Sequence, residues 1–199
     1  MGCSPGDSEC GKEETPHDVA ITKDFWIGQT EVTQTAYQRV TGTNPRVFNG
    51  DGLPVENVTW NDAQAYCKAV GMRLPTDAEW ECAARGGNPS ARYGNVNTVA
   101  WYNANSNHSA HPVGPKQPNE YGLFDMPGNL FEWVSDWYGD SYYGSSPAAD
   151  PQGPAEGQYR ALRGGSWQYD ARNSRASHRC WDVPGVGNLN YTGMRCAGN

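Results

Sequence analysis

No stretch of this sequence approaches the ~18 consecutive apolar residues that a membrane-spanning helix needs, and no shorter apolar leader core is present. Charge is scarce. Only 19% of residues are Asp, Glu, Lys or Arg, and the 15 basic residues are outnumbered by 22 acidic ones, giving a net charge of −7. The basic footprint of a phosphate-backbone binder is missing, so no nucleic-acid partner is expected. The six cysteines, at 3, 10, 67, 82, 180 and 196, contain no Cys-x-x-Cys pair, which argues against a zinc ribbon. No internal repeat and no linker divides the chain. Ser166 lies in Gly-Gly-Ser-Trp, outside the strained elbow of a nucleophilic serine, and reads as structural. Gly86-Gly87 reads as a helix stop, and the spacing of Asp125, Glu132 and Asp136 singles out no glycosidase pair.

What is present is turn formers and aromatics. The 199 residues make about one domain and include 24 Gly, 14 Pro, 8 Trp and 11 Tyr. Mean hydropathy is −0.78 although charge is low, so the polarity comes from neutral Asn, Ser, Thr, Gln and Gly. That composition describes a turn-rich globular protein, neither a helical bundle nor a disordered chain. Residues 1–17 are polar and read as a tail or tether, with the domain spanning 18–199. The run from Asp18 to Val32 partly alternates and predicts one or two strands. Thr33 is placed to cap a helix through Val40, with Val32 and Tyr37 as a staple and Gly42 as the stop. Thr59 or Asn61 starts a second helix that Gly71 ends. Thr76 and Glu79 form a capping box for a third, ended by Gly86. Residues 87–128 and 139–158 read as loop, Phe131–Trp137 as a short strand or turn, and Arg160–Trp167 as a strand. His108 and His111 form an H-x-x-H pair in a loop, which by itself reads as solvated or structural histidine.

The ordered motifs FWIGQTEVTQTAYQ, PVENVTWNDAQAYCKAVGMRLPTDAEWECAARGG, NEYGLFDMPGNLFEWVSDWY, RALRGGSW and TGMRCAGN resemble the formylglycine-generating-enzyme, or sulfatase-modifying-factor, domain over nearly the whole chain. The resemblance implies a single α+β domain of C-type-lectin-like fold, with small twisted sheets, few helices and much irregular loop. It also implies a test of activity. The formylglycine enzymes hold copper(I) on two cysteines shortly after the Gly-Gly-Ser-aromatic motif, and thiolate is the soft ligand that Cu(I) prefers. Here Gln168, Tyr169, Asp170, Ala171, Arg172, Asn173 and Ser174 follow Trp167, with no cysteine until Cys180. No catalytic residue is therefore assigned, and no catalytic cofactor is expected. A sulfoxide-forming iron branch of the family draws a His triad from an added helical domain, which these 199 residues do not contain.

A third branch, the variable proteins of diversity-generating retroelements, resembles this chain most. Its frame appears as Arg163-Gly164-Gly165-Ser166-Trp167, Ala171-Arg172-Asn173, Arg175, Arg179 and Gly193-Met194-Arg195. In that branch, adenine-directed mutation of a template varies the residues between the anchors, and these line a ligand surface. The resemblance places the variable region at about 168–191. The candidate ligand-binding residues are Tyr169, Asp170, Ser174, His178, Cys180, Trp181, Asp182, Val183, Asn188, Leu189, Asn190 and Tyr191. Gln168 and Trp181 are not reachable from an Asn codon by adenine changes, whereas the other candidates are. Tyr, Asn, Ser and Asp are also the residues of antibody paratopes, where Tyr gives contact area at low entropic cost.

The resemblance also implies a structural calcium on Asn129 and Glu132 in Gly-Asn-Leu-Phe-Glu-Trp, and a disulfide between Cys67 and Cys196. It offers a second disulfide between Cys82 and Cys180, with buried free thiols the alternative. Cys3-Ser4 behind Met1-Gly2 suits a bacterial lipid anchor, which would leave Cys10 unpaired. The expectation is a monomeric, non-catalytic receptor-type protein on a bacterial surface or otherwise outside the cytoplasm. It would recognise an unidentified protein or surface molecule and touch the membrane only through Cys3. An enzyme of the same superfamily with an altered active site, or an accessory domain of a surface complex, is the alternative.

Overall fold

Threonine caps set the first half of the molecule. In the computed structural model, which describes residues 1–187 and 189–199, Thr33 accepts the Ala36 N–H at 3.2 Å and opens α1 (Gln34–Thr41); Gly42 closes it in the left-handed region. Thr59, rather than Asn61, caps α2 (Trp60–Ala69): its hydroxyl accepts the Asp62 N–H and the Asp62 carboxylate accepts the Thr59 N–H, both at 3.1 Å. The same reciprocal box between Thr76 and Glu79 opens α3 (Asp77–Arg85), which stops at left-handed Gly86. A single turn, α4 (Val96–Val99), interrupts the long loop that follows.

The run 18–32 yields only β1 (Trp26–Ile27), because its partner is a two-residue strand at the far end of the chain. Then come β2 (Phe131–Trp137), β3 (Arg160–Arg163), β4 (Arg179–Asp182), β5 (Thr192–Gly193) and β6 (Ala197–Gly198). The main sheet has the order β4-β3-β2-β5, with β2 parallel to β5 and the other pairs antiparallel; β1 and β6 make a separate antiparallel ribbon. The strand expected to run from Arg160 to Trp167 ends at Arg163. Gly164 and Gly165 take φ of +95° and +80°, and a Cβ on Gly165 would lie 2.8 Å from the Asn173 backbone, so the chain leaves the sheet at a turn only glycine accommodates. Trp80, Trp133, Phe131, Leu162 and Met194 form the core between helices and sheet, and Cys67–Cys196 bonds α2 to the last strand region across 129 residues.

Residues 1–17 are not a tether. Cys3 and Cys10 are disulfide-bonded, Lys12–Glu14 forms a 3-10 turn, and the Gly2 N–H donates to Glu81 at 2.8 Å while Arg85 donates back to the Gly2 carbonyl at 2.6 Å. The segment is held by charged partners rather than by apolar burial, and its polarity alone could not reveal that. A sulfur committed to a disulfide carries no thioether lipid, so Cys3 is not the anchor in this structure. Cys82 and Cys180 are free thiols, not a pair.

Candidate functional site

The segment 163–195 interleaves two kinds of residue. The first kind is buried arginine. Arg163, the last residue of β3, is fully buried and donates to Asp77, to Glu81 at 2.5 Å and to the carbonyls of Ala176 and His178 at 2.8 and 2.9 Å. Arg179 on β4 shares Asp77 at 3.2 Å. Burial alone would raise the Asp77 carboxyl, but these two guanidiniums outweigh it and hold it below its ordinary range. Arg175 makes a bidentate pair with Glu14 at 2.7 Å and also donates to the Arg172 carbonyl at 2.6 Å. Burial likewise opposes ionisation of Glu14, and the nearby His178 ring and Arg175 still bring it well below a normal carboxylate. Arg195 pairs with both oxygens of Glu132 at 2.7 Å and donates to the carbonyls of Gly28 and Phe124 at 2.9 and 3.0 Å. These ion pairs fix the path of the backbone through the segment.

The second kind points outward. Tyr169 is half-buried and meets Tyr191 and Phe131 edge-on, at centroid distances of 5.5 and 5.2 Å. Tyr169, Cys180 and Tyr191 pack against the same core cluster, with Asp182 on the Cys180 side of β4, and burial first, then these neighbours, raise the Tyr191 phenol. Asp170 is exposed and accepts from Asn103 Nδ2 at 2.5 Å; the Asn103 N–H also holds the Tyr169 carbonyl at 3.0 Å. Cys180 and Asp182 alternate with Trp181 along β4, so Trp181 faces the other side. There it stands 44% exposed, 4.1 Å from Tyr159 and 6.2 Å from Tyr138 between ring centroids. Val183 is exposed, and Leu189, Asn190 and Tyr191 are half-buried, with the Asn190 carbonyl accepting from Trp167 Nε1 at 3.0 Å. His178 is half-buried beside Phe131 and takes an Asn173 contact at 2.9 Å. Asn188 lies outside the described residues.

The structure therefore brings Tyr169, Cys180, Asp182 and Tyr191 together and sets Trp181 apart. It removes Ser174 from the surface. Ser174 is fully buried behind the 3-10 turn Ala171–Asn173, its N–H on the Ala171 carbonyl and its own carbonyl on Arg92 at 2.8 Å. The turn after Gly165 faces that residue inward, and its residue type gave no sign of it. Asn103, Tyr138 and Tyr159 adjoin the display from outside 168–191. Only the aromatic content of their loops hinted at them.

The calcium expectation does not fit. Glu132 already serves Arg195 with both oxygens and accepts from Trp80 Nε1 at 2.6 Å. Asn129 Oδ1 accepts the His111 N–H at 2.9 Å, and its amide donates to Glu31 at 2.7 Å. The guanidinium of Arg195 is the cation of this oxygen-rich cage. The H-x-x-H pair does not converge either: His111 stacks on Trp101 at 3.7 Å and bonds the Ser106 carbonyl at 2.8 Å, while His108 is exposed. Ser166 is fully buried. A cavity of about 590 Å³ opens elsewhere, among Lys23, Lys68, Met72 and Glu79, with no lining residue from 168–191.

Comparison with known proteins matches residues 3–199 to the family described as sulfatase-modifying factor enzyme 1-like domain. The formylglycine-generating enzyme of Streptomyces coelicolor is 36% identical over 193 residues, covering 87% of this chain and 60% of that protein. The serine/threonine-protein kinase pkn1 of Chlamydia pneumoniae is 44% identical over 149 residues, covering 73% of this chain but 24% of that protein. The chain thus spans only part of the length of these relatives. Among solved structures, Treponema denticola variable protein 1 superposes with a TM-score of 0.90 at 32% identity, covering 100% of this chain and 92% of that one.

Proposed function

The chain belongs to the sulfatase-modifying factor enzyme 1-like domain family, and from that premise we propose that it is a non-catalytic ligand-binding protein whose recognition surface is segment 168–191, diversified by a retroelement. One observation carries this reading: between Arg163 and Arg195, buried ion-paired residues alternate with outward ones, some half-buried against the core like Tyr169 and Tyr191, others exposed like Asp170 and Val183. Such a segment tolerates change in what it displays without change in how it folds. Tyr169, Asp170, Asp182, Val183 and Tyr191 form the variable contact surface, and Tyr and Asp there supply amphipathic area and hydrogen bonds. Trp181, on the other side of β4 with Tyr138 and Tyr159, is a constant contact. The positions after Trp167 carry no thiolate pair, so the copper-dependent oxidation of the formylglycine enzymes has no ligands to run on.

The partner is a protein or another surface molecule, engaged by an open surface rather than a deep pocket. Two disulfides support an oxidising, extracytoplasmic location such as a bacterial cell surface. Sequencing the codons for 163–197 across a population of the source organism tests the proposal. Expected are adenine-directed changes at Tyr169, Asp170, Asp182, Val183 and Tyr191, with Arg163–Trp167, Trp181 and Gly193–Arg195 constant. A uniform segment would overturn diversification and favour the enzyme or accessory alternative.

A further inference from the structure

The N-terminal loop closed by Cys3–Cys10 touches the base of segment 168–191 at several points. Arg175 donates to Asp7 Oδ2 at 3.0 Å and to the Glu9 carbonyl at 3.1 Å, both inside the loop, and its guanidinium lies 3.5 Å from Cys10 Sγ. Glu9 also pairs with Arg92 at 3.2 Å, and Arg92 donates to the carbonyls of Ala171 and Ser174 at 2.5 and 2.8 Å. The Cys3 N–H holds the Glu14 carbonyl at 2.7 Å, so the disulfide also steadies the residue that clamps Arg175. Arg175 touches the loop directly and Arg92 bridges it to the Ala171 and Ser174 carbonyls, so these contacts converge on residues 171–175, where the chain returns from the glycine turn toward β4.

The two disulfides differ in access. Cys67 and Cys196 are 0% and 5% exposed, whereas Cys3 and Cys10 are only partly buried. Thiol–disulfide exchange requires in-line approach of a thiolate to a sulfur, so access selects the outer bond. We propose that Cys3–Cys10 is a thiol–disulfide exchange site for a dithiol reductant, and that its state sets the order of residues 171–178. One thiolate of the dithiol bonds to Cys3 Sγ and breaks the Cys3–Cys10 bond, expelling Cys10 as thiolate, which takes up a proton. The second thiolate attacks the sulfur of the first in the mixed disulfide and releases Cys3. The dithiol is oxidised by two electrons to its disulfide, and the protein gains two electrons and two protons as two thiols. Once open, residues 4–9 regain their chain entropy. Asp7 and the Glu9 carbonyl then release Arg175, which keeps Glu14, the Arg172 carbonyl and Ser177 Oγ. The latch does not depend on whether the segment binds a ligand.

The test uses the full chain, titrated with dithiothreitol, quenched with iodoacetamide and mapped by mass spectrometry, with amide hydrogen exchange followed in parallel. Cys3 and Cys10 are expected to label on the order of 100-fold faster than Cys67 and Cys196, since access governs exchange rate. At that stage, exchange of amides in 171–178 rises about tenfold or more while that of 131–137 is unchanged. The C3S/C10S variant reproduces that exchange pattern without reductant. Should this variant fail to fold, the titration of the unmodified chain still decides. Equal reduction rates for the two disulfides, unchanged exchange at 171–178 after selective reduction, or an acylated Cys3 in protein from its native host would each overturn the proposal.

Discussion

Arg163 and Trp181 sit 18 residues apart on neighbouring strands, yet they belong to different physical regimes. Arg163 is fully buried with two carboxylates and three further acceptors or partners, and nothing about it can change without leaving charges unpaired. Trp181 leans on two tyrosines at the edge of the sheet with nearly half its surface free. A recognition surface that must vary needs both regimes in one segment: a frame whose geometry is set by buried ion pairs, and side chains whose loss costs the frame nothing. A buried pair brings little net stability over a hydrophobic replacement, but breaking one side of it is expensive, which makes such pairs good at fixing one backbone path.

Substitutions in the frame have the largest expected effects. Arg163→Ala leaves Asp77 and Glu81 without their shared guanidinium and is expected to cost about 3–5 kcal/mol in urea denaturation. A cost below about 1 kcal/mol would mean that the frame is not held by these pairs. Removing the 67–196 bond with C67A/C196A releases a link across 129 residues and is expected to cost about 2–5 kcal/mol by the same measurement. A smaller effect sharpens the electrostatics behind the frame. Asp136 is fully buried beside Asp77, and burial first, then the Asp77 charge, raises its carboxyl to about 7. An acid whose pKa is higher folded than unfolded favours folding while protonated. Its contribution is therefore present below the unfolded value near 3.8 and lost as pH rises toward about 7. Asp136→Asn, which keeps an acceptor for the Asp77 N–H, should flatten stability against pH across that window, where the slope is at most about 1.4 kcal/mol per pH unit. An unchanged slope would place the titration elsewhere. The smallest effects belong to the display: Asp170→Ser and Val183→Ser should each shift stability by no more than about 0.5 kcal/mol. A loss of several kcal/mol at either would erase the distinction.

The sequence was most legible where local chemistry decides structure. The Thr76–Glu79 box and the stops at Gly42 and Gly86 form their helices as their spacing predicts, while the choice of Thr59 over Asn61 as the cap of α2 is settled by its reciprocal bonds with Asp62. The family motifs carried the fold and the Cys67–Cys196 bond. It was least legible where partners come from far along the chain. The polar N-terminal segment is tied down by Arg85, Arg92 and Arg175, which lie tens of residues away or more. Asn129 and Glu132 have the right oxygens for calcium, but their partners Glu31 and Arg195 can be known only in three dimensions. Ser174 has a display-type side chain and an inward direction, and only the glycine turn before it explains the difference.

The central claim is that frame and display are separable within one segment. Its most direct test is to substitute every position from 163 to 199 in turn and score folded abundance after proteolytic challenge. Arg163, Gly165, Ser166, Arg175, Arg179, Gly193 and Arg195 are expected to tolerate almost nothing, whereas Asp170, Trp181, Asp182 and Val183 tolerate most residues. Uniform tolerance, or uniform intolerance, along the segment would contradict it.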